Sequence, residues 1–296
     1  MERFTRSQLA HLRDELTEIA AASPRFIRQD CNVIGRDFVI GDTHGAFDQV
    51  WNAMRLAGFD RARDRLFSVG DLVDRGEGSH RAGRFLAQPY VFAVRGNHEA
   101  DLIDLHMDND DPDEALEVLA RINFNGMGWI AKLTAKERGE LLKRFAALPY
   151  AMEVRSPRGT VGVLHGEVPR GMDWEDFVAG LEEGDADVLE SCLRGRKRLK
   201  HGDTRGVPGI GRIFAGHTPQ FGGAARLGNC FAIDTGAVFA EISDRPGASL
   251  TIANIAFQTS ELARPREEGI VRLHHQVTAA PFGPYAEPEQ ASAPRA

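Results

Sequence analysis

Five short segments carry the residues that could do chemistry: Asp42 and His44 in GDTHG, Asp71 in GDLVDRG, Asn97 and His98 in GNHE, His165 in LHG, and His217 in GHT. Imidazole nitrogens and carboxylate oxygens, with no thiolate pair among them, form a donor set suited to manganese, iron or zinc. A carboxylate shared by two divalent cations holds them ~3.5–4 Å apart, as a clamp for in-line displacement at phosphorus. Any one segment has a plainer explanation. An Asp-x-His after a strand caps helices, Asn97 could cap a turn, and a lone His165 or His217 would by default be a satisfied structural histidine. Their joint occurrence in order, each behind an apolar run, is what points to a metal site. Glycines beside the candidates (Gly41, Gly45, Gly70, Gly96, Gly166, Gly216) would let backbone approach ions and phosphate.

The elements that must deliver these turns follow from the surrounding pattern. Asp37–Ile40 precedes GDTHG, 65–69 precedes GDLVDRG, and 90–94 precedes GNHE. Phe47, Val50, Trp51 and Met54 continue at helical spacing after the first turn, and helices are expected over 79–86 and around Leu102, Ile103 and Leu105 after the others. Gly41, Gly70 and Gly96 are 29 and 26 residues apart, close to the ~30 residues of a βαβ unit. That spacing predicts a parallel sheet whose turns meet at one edge, where ligands of open α/β sheets bind. Residues 113–148 read as helices, including 135–148, and form a helical insertion. Apolar runs return at 160–164, 213–215, 230–233 and 249–256 as strands of a second, partly antiparallel sheet. The expected class is α/β: a two-sheet β-sandwich flanked by helices, with a helical insertion.

The chain divides into an N-terminal helical extension (1–32), a catalytic domain (33–258) and a flexible tail (259–296) rich in Pro, Ala, Glu and Gln. In the extension, Leu9, Leu12, Leu16 and Ile19 share a helix face, with Ser7 as its N-cap and Ser23–Pro24 as its end. At 296 residues the chain can bury a sizeable core, and 42% hydrophobic with 27% charged residues is ordinary for a globular protein. A net charge of −7 argues against a general grip on nucleic acid or on an anionic membrane. Cys31, Cys192 and Cys230 form neither an even framework nor a CxxC pair, so a reducing cytoplasm is expected. The N-terminal segment mixes charge through every turn, unlike a signal peptide, and no stretch reaches the ~20 apolar residues of a membrane span. His11, His80, His106, His201, His274 and His275 lack a strand-end context and are expected to be surface or packing residues.

The order GDTHG, GDLVDRG, GNHE, LHG, GHTP resembles the phosphoprotein phosphatase branch of the calcineurin-like metallophosphoesterases. FSVGDLVDRG, AVRGNHE, IFAGHTP and AIDTGAVF are similar to its small bacterial and bacteriophage lambda-type serine/threonine phosphatases, over about residues 37–240. The resemblance implies that Asp42 and His44 ligate a first divalent cation, that Asp71 bridges, and that Asn97, His165 and His217 complete the second. Manganese is the expected ion, with iron and zinc as alternatives. It further implies a bridging hydroxide as nucleophile without a covalent phosphoenzyme, Arg75 on phosphate oxygens, and His98 protonating the leaving alkoxide with Asp74 orienting it. Leu193–Arg196 is similar to the family's Leu-Trp-x-Arg and nominates Arg196 as a second phosphate arginine. Arg194 stands where an aromatic is usual, however, and Arg194, Arg198 and Arg205 compete with it.

Three functions are open on this reading. The lead is a metal-dependent phosphatase acting on phosphoserine or phosphothreonine in proteins, with phosphotyrosine and aryl phosphates also within its reach, and other small-molecule phosphoesterase activity stands as an alternative. Another is hydrolysis of diadenosine tetraphosphate, whose hydrolases typically show GDLVARG and GNHD where Asp74 and Glu99 stand here. The third is an inactive scaffold, which the presence of every ligand type together with His98 and Arg75 speaks against.

Overall fold

The computed structural model describes residues 1–256, 271–272 and 276–277. Helix α1 (Arg6–Ala22) leads into β1 (Phe26–Gln29), β2 (Asp37–Ile40), α2 (Phe47–Leu56), β3 (Arg65–Ser68), α3 (Ala82–Leu86), β4 (Val91–Ala93) and α4 (Asn97–Asp108). The insertion is α5 (Pro112–Arg121), a 3-10 segment (Phe124–Lys132) and α6 (Ala135–Ala146). Then follow β5 (Ala151–Ser156), β6 (Gly159–Leu164), α7 (Trp174–Glu183), α8 (Ala186–Arg194) and α9 (Lys197–Lys200). The chain continues through β7 (Arg212–Ala215), β8 (Ala225–Leu227), β9 (Cys230–Ala232), α10 (Ala237–Ile242), β10 (Leu250–Asn254), β11 (Val271–Arg272) and β12 (Gln276–Val277).

Two mixed sheets result, in the strand orders β12-β10-β2-β3-β4 and β1-β5-β6-β7-β9-β8-β11; the run 249–256, expected in the second sheet, instead joins the first, antiparallel to β2. Strands β2, β3 and β4 are parallel and in register, Ile40 beside Ser68 and Ser68 beside Ala93. In the second sheet β6, β7 and β9 run parallel, while β5 is antiparallel to β6 and β8 is antiparallel to β9. Strand periodicity sorts the core. Phe38, Ile40 and Leu66 face a cluster under α2, α3 and α4, whereas Val39 and Phe67 face Val154, Val161, Phe214 and Phe231 between the sheets. Alternate residues thus serve opposite faces, and a strand buried on both reads as a continuous apolar run. A third cluster, including Trp174, Phe177 and Leu181, seals α7 and α8 against the second sheet.

The first helix starts earlier than Ser7: Thr5 is the N-cap, its hydroxyl accepting from Gln8 N–H while Gln8 reaches back to Thr5 N–H. A Thr/Gln capping box satisfies two orphan donors at once, which Ser7 could not do from inside the first turn. Leu12 and Leu16 are buried against the insertion. Arg138 of α6, itself buried, pairs with Asp113 and donates to Glu2 O at 2.8 Å. Residues 26–29, placed with the extension on sequence grounds, form β1, paired in parallel with β5. Of the expected tail, 271–272 pair with β8 and 276–277 with β10. Its other residues, and His274 and His275, lie outside the described residues.

Candidate metal centre

The ends of β2, β3 and β4 carry the first three turns, and backbone bonds fasten each turn to the next. Thr43 and His44 N–H donate to Asp71 O, and Gly45 N–H to Leu72 O. Asp71 and Leu72 N–H donate to the Glu99 carboxylate at 3.0 and 2.8 Å, which also takes Gly96 N–H at 2.8 Å. His98 N–H in turn donates to Asp71 Oδ1 at 3.1 Å. Two glycines are sterically required: a Cβ on Gly96 would strike Asp71 Oδ1, and one on Gly216 would strike Asp42 Oδ1. From the second sheet, His165 follows β6 and His217 follows β7, with Gly216 N–H bonded to His165 O at 2.8 Å.

The side chains converge into two buried groups, His44–Asp71–His98 and Asp71–His165–His217, each with one donor atom per residue within 4.8 Å of the others. Asp71 belongs to both, as a bridging carboxylate must. His44 Nδ1 meets Val73 O at 2.7 Å and His165 Nδ1 meets Val69 O at 2.8 Å. A carbonyl can only accept, so those nitrogens carry protons, and the Nε2 atoms, the ones left for a cation, face Asp71 at 3.4 and 3.3 Å. That is the orientation metal-ligating histidines take. Asn97 Oδ1 lies 3.1 Å from His165 Nε2 and 2.8 Å from His217 Nδ1. Asp42 Oδ2 is 4.0 Å from His44 Nε2, and both its oxygens accept His217 N–H, at 3.0 and 3.2 Å. All six residues named as ligands from sequence therefore meet in one place. His98, named as an acid, enters the first group as well. No described helix is long and apolar enough to cross a membrane.

Charge fits cation binding. Burial keeps His44 neutral, with its pKa well below the usual imidazole range, and burial beside His165 takes His217 down to about 3. A metal needs such unprotonated rings; at His165 burial is outweighed by the Asp71 charge and bond, which raise the pKa, so this ring gives up a proton when it takes a cation. Burial pushes Asp42 well up, with the Asp234 and Asp71 charges adding to it. Asp71 goes the other way: although burial opposes ionisation, the His165 and His98 charges hold its carboxyl well down. Crowded anions around one ionised carboxylate are what divalent cations relieve. The backbone is strained at these positions. His44, Asp71, Asp74, Arg75 and His217 all have φ between 45° and 68°, a region that costs non-glycine residues about 1–3 kcal/mol each and recurs at functional sites.

Around this centre stand the accessory groups. His98 Nδ1 is 2.6 Å from Asp74 Oδ2. Burial disfavours its charged form, but Asp71 and then the Asp74 bond outweigh burial and raise it to about 9. Asp74 Oδ1 accepts the Trp129 indole N–H at 2.8 Å. The Arg75 guanidinium contacts His44 Nε2 and lies 3.3 Å from His98 Nε2, while its backbone N–H donates to Asn125 O at 2.7 Å. Arg196 Nη2 is 2.7 Å from His217 Nε2. Its competitors point elsewhere: Arg194 pairs with Asp101 and Glu190, Arg205 with Asp203, and Arg198 is buried with Nη1 on Asp203 O and Gly206 O.

Four residues of the site have no structural role in the sequence reading, which used Glu99 only to set GNHE against GNHD. Glu99 holds the Asp71 turn, and its spacing three after Gly96 is a capping signal. Trp129 holds Asp74 from the insertion, across a gap no local pattern spans. Glu167 accepts Lys197 and Arg198 N–H at 2.9 and 2.6 Å, fixing the stretch that presents Arg196. Asp234 ends the run 230–233, the same strand-then-acid signal as Asp42.

Comparison with known proteins agrees with this geometry. Residues 38–223 match the calcineurin-like phosphoesterase family. The chain is 33% identical to serine/threonine-protein phosphatase 1 of Salmonella typhimurium, over 74% of this chain and 91% of that one. It is 38% identical to the symmetrical bis(5'-nucleosyl)-tetraphosphatase of Serratia proteamaculans, but over 23% of this chain and 25% of that one. A serine/threonine phosphatase structure from Saccharomyces cerevisiae superposes with a TM-score of 0.52 at 17% identity, covering 90% of this chain and 89% of that chain, and so shares the fold.

Proposed function

The chain belongs to the calcineurin-like phosphoesterases, a hydrolase family, and on that premise we propose that it removes phosphate from serine and threonine side chains of proteins. Asp42, His44, Asp71, Asn97, His165 and His217 would hold two divalent cations, manganese first among them. When bound, the cations lower the pKa of water at the centre and neutralise phosphate charge. The chain's own groups do the rest. Arg75 and Arg196, from opposite sheets, grip phosphate oxygens, where a guanidinium can bind two at once. His98 donates its Nε2 proton to the departing oxygen, with Asp74 on Nδ1 fixing the ring and keeping it charged. The Asp74 carboxylate on Nδ1 steadies a ring that donates a proton, and on that ground His98 is assigned as an acid rather than as a seventh ligand.

The observation that carries the choice of substrate is the line Trp129–Asp74–His98. Serine and threonine alkoxides are strongly basic and need a proton as they leave. Cleaving the phosphoanhydride of diadenosine tetraphosphate expels a nucleotide phosphate, which leaves readily without one. A match over 91% of a protein phosphatase's length, against matches over 25% and 55% of two tetraphosphatases' lengths, supports the same side. The test is a panel on manganese-loaded protein: phosphoserine and phosphothreonine peptides, nitrophenyl phosphate, a cyclic nucleotide and diadenosine tetraphosphate. The expected result is turnover of the peptides and the aryl ester. A kcat/KM for diadenosine tetraphosphate above that for the peptides would overturn the assignment.

A further inference from the structure

At the end of β9, Asp234 is 1% exposed. Its Oδ1 accepts Gly236 N–H at 2.9 Å, and its Oδ2 has no hydrogen-bond partner among the described residues. A buried carboxylate oxygen without a partner is unfavourable unless charge or a donor meets it. The surroundings sharpen the question. A Cβ on Gly41 would collide with Ile233 O and lie 3.2 Å from Asp234 Cα, so the end of β9 rests on the turn that presents Asp42. After burial, the charge that bears most on Asp42 is that of Asp234. Thr235 ties this corner down, its hydroxyl 2.6 Å from Ser249 O and 2.8 Å from the Thr251 hydroxyl. A buried acid is thus held beside the turn that presents another buried acid, with one oxygen unused.

We propose that Asp234 is a third carboxylate of the metal centre, its free Oδ2 accepting hydrogen bonds from the hydration shell of the cation held by Asp42 and His44. Hard and borderline cations bound by few carboxylates retain water, and that water needs fixed acceptors. Gly236 N–H occupies one oxygen and leaves the other for this purpose. A purely structural cap would need only Oδ1, which an asparagine supplies equally well. The inference rests on the dinuclear reading of the site.

Asp234→Asn separates the two roles, because it keeps the acceptor for Gly236 and removes the charge. Manganese binding to metal-stripped protein is measured by titration calorimetry, and the melting temperature is taken with and without Mn²⁺. The expected result is two sites in the native protein and one of them weakened about 10–100-fold in the variant, the usual effect of losing an outer-shell partner. The metal-free melting temperature should stay level or rise, since a like charge has been removed, while the increase on adding Mn²⁺ should shrink. Two sites of native affinity in the variant would overturn the proposal, as would a lower metal-free melting temperature with affinity intact. A native protein that binds no manganese would instead sink the dinuclear reading itself. Should Asp234→Asn fail to fold, Asp234→Ser keeps an oxygen near Gly236 and is read in the same way.

Discussion

The two halves of the centre are built differently. The half on β2, β3 and β4 gathers Asp42, His44, Asp71, Asp74, Arg75, Asn97 and His98 from consecutive turns, and four of these residues sit at positive φ. Each turn is tied to the next by backbone bonds or by Glu99, and the insertion closes over it through Trp129 and Asn125. The half on β6, β7 and β9 brings His165, Arg196, His217 and Asp234 from wider separations, with positive φ at His217 alone among them. Glu167 fixes its arginine from outside, by capping the short helix that follows. Strain with dense local support suits groups that must hold a proton or share a carboxylate to within tenths of an ångström. An exposed arginine, placed through the backbone that carries it, would suit phosphate binding, where guanidinium geometry tolerates adjustment.

The largest effect should fall where the halves meet. Asp71→Asn replaces the shared carboxylate with a neutral amide, a poor bridge between two dications. Metal content by elemental analysis should drop at both sites, and turnover should vanish as it does on chelation. Two full equivalents in that variant would show that the halves bind their ions independently.

The next effect isolates the first half. His98→Asn should keep both metals yet lose roughly 10²–10⁴-fold in kcat on phosphoserine peptides, the usual span for general acid catalysis. On nitrophenyl phosphate, whose leaving group needs no proton, the loss should be distinctly smaller. Equal losses would move His98 to phosphate binding, and loss of metal would make it a ligand.

A matched pair then tests the contrast directly. Trp129→Phe removes the donor on Asp74, and a hydrogen bond to a charged group contributes about 1.5–3 kcal/mol. Because only part of that bond bears on His98, kcat on peptides should fall about tenfold with KM little changed. Glu167→Gln weakens the hold on the Arg196 stretch, so KM and the inhibition constant for inorganic phosphate should rise several-fold with kcat nearly kept. If both variants change the same parameter, the halves do not divide the work as described.

This division also explains what was legible beforehand. Asp42, Asp71 and Asn97 announce themselves because strand, glycine and ligand are adjacent in sequence, and a βαβ rhythm of fixed length must bring such turns to one edge. Trp129 gave no signal, since its bond to Asp74 spans 55 residues and depends on how the insertion folds back. Glu167 was passed over because its partners are backbone N–H groups, which every sequence has. Strands β5 and β8 were missed for a related reason. The first mixes Glu153 and Arg155 into its alternation, the second is three residues long, and pairing rather than composition makes them strands. Thr5 as N-cap was readable from Gln8, three residues on.

The smallest effect on activity, and a separable one on stability, belongs to the support behind the first half. His106, on α4, is fully buried, with Nδ1–H donated to Leu102 O at 2.7 Å, Nε2 without a partner among the described residues, and Phe4 edge-on at 6.1 Å. Burial lowers its pKa to about 4, against the Leu102 bond and with Arg138 helping. The unfolded chain takes up this proton near pH 6.5, while the folded chain resists until about pH 4. Stability from this group is therefore complete above pH 6.5 and declines as the pH falls towards 4, with a slope approaching about 1.4 kcal/mol per pH unit at most. In His106→Leu the decline should be shallower over that window, as seen by melting temperature against pH, while kcat at neutral pH stays close to native. A parallel decline in both proteins would mean that the acid sensitivity arises elsewhere. A fall in kcat at neutral pH would show that packing of α1 on α4 is transmitted to Asn97 and His98 at the other end of the helix, and the first half would then extend through the whole helix rather than end at its turns.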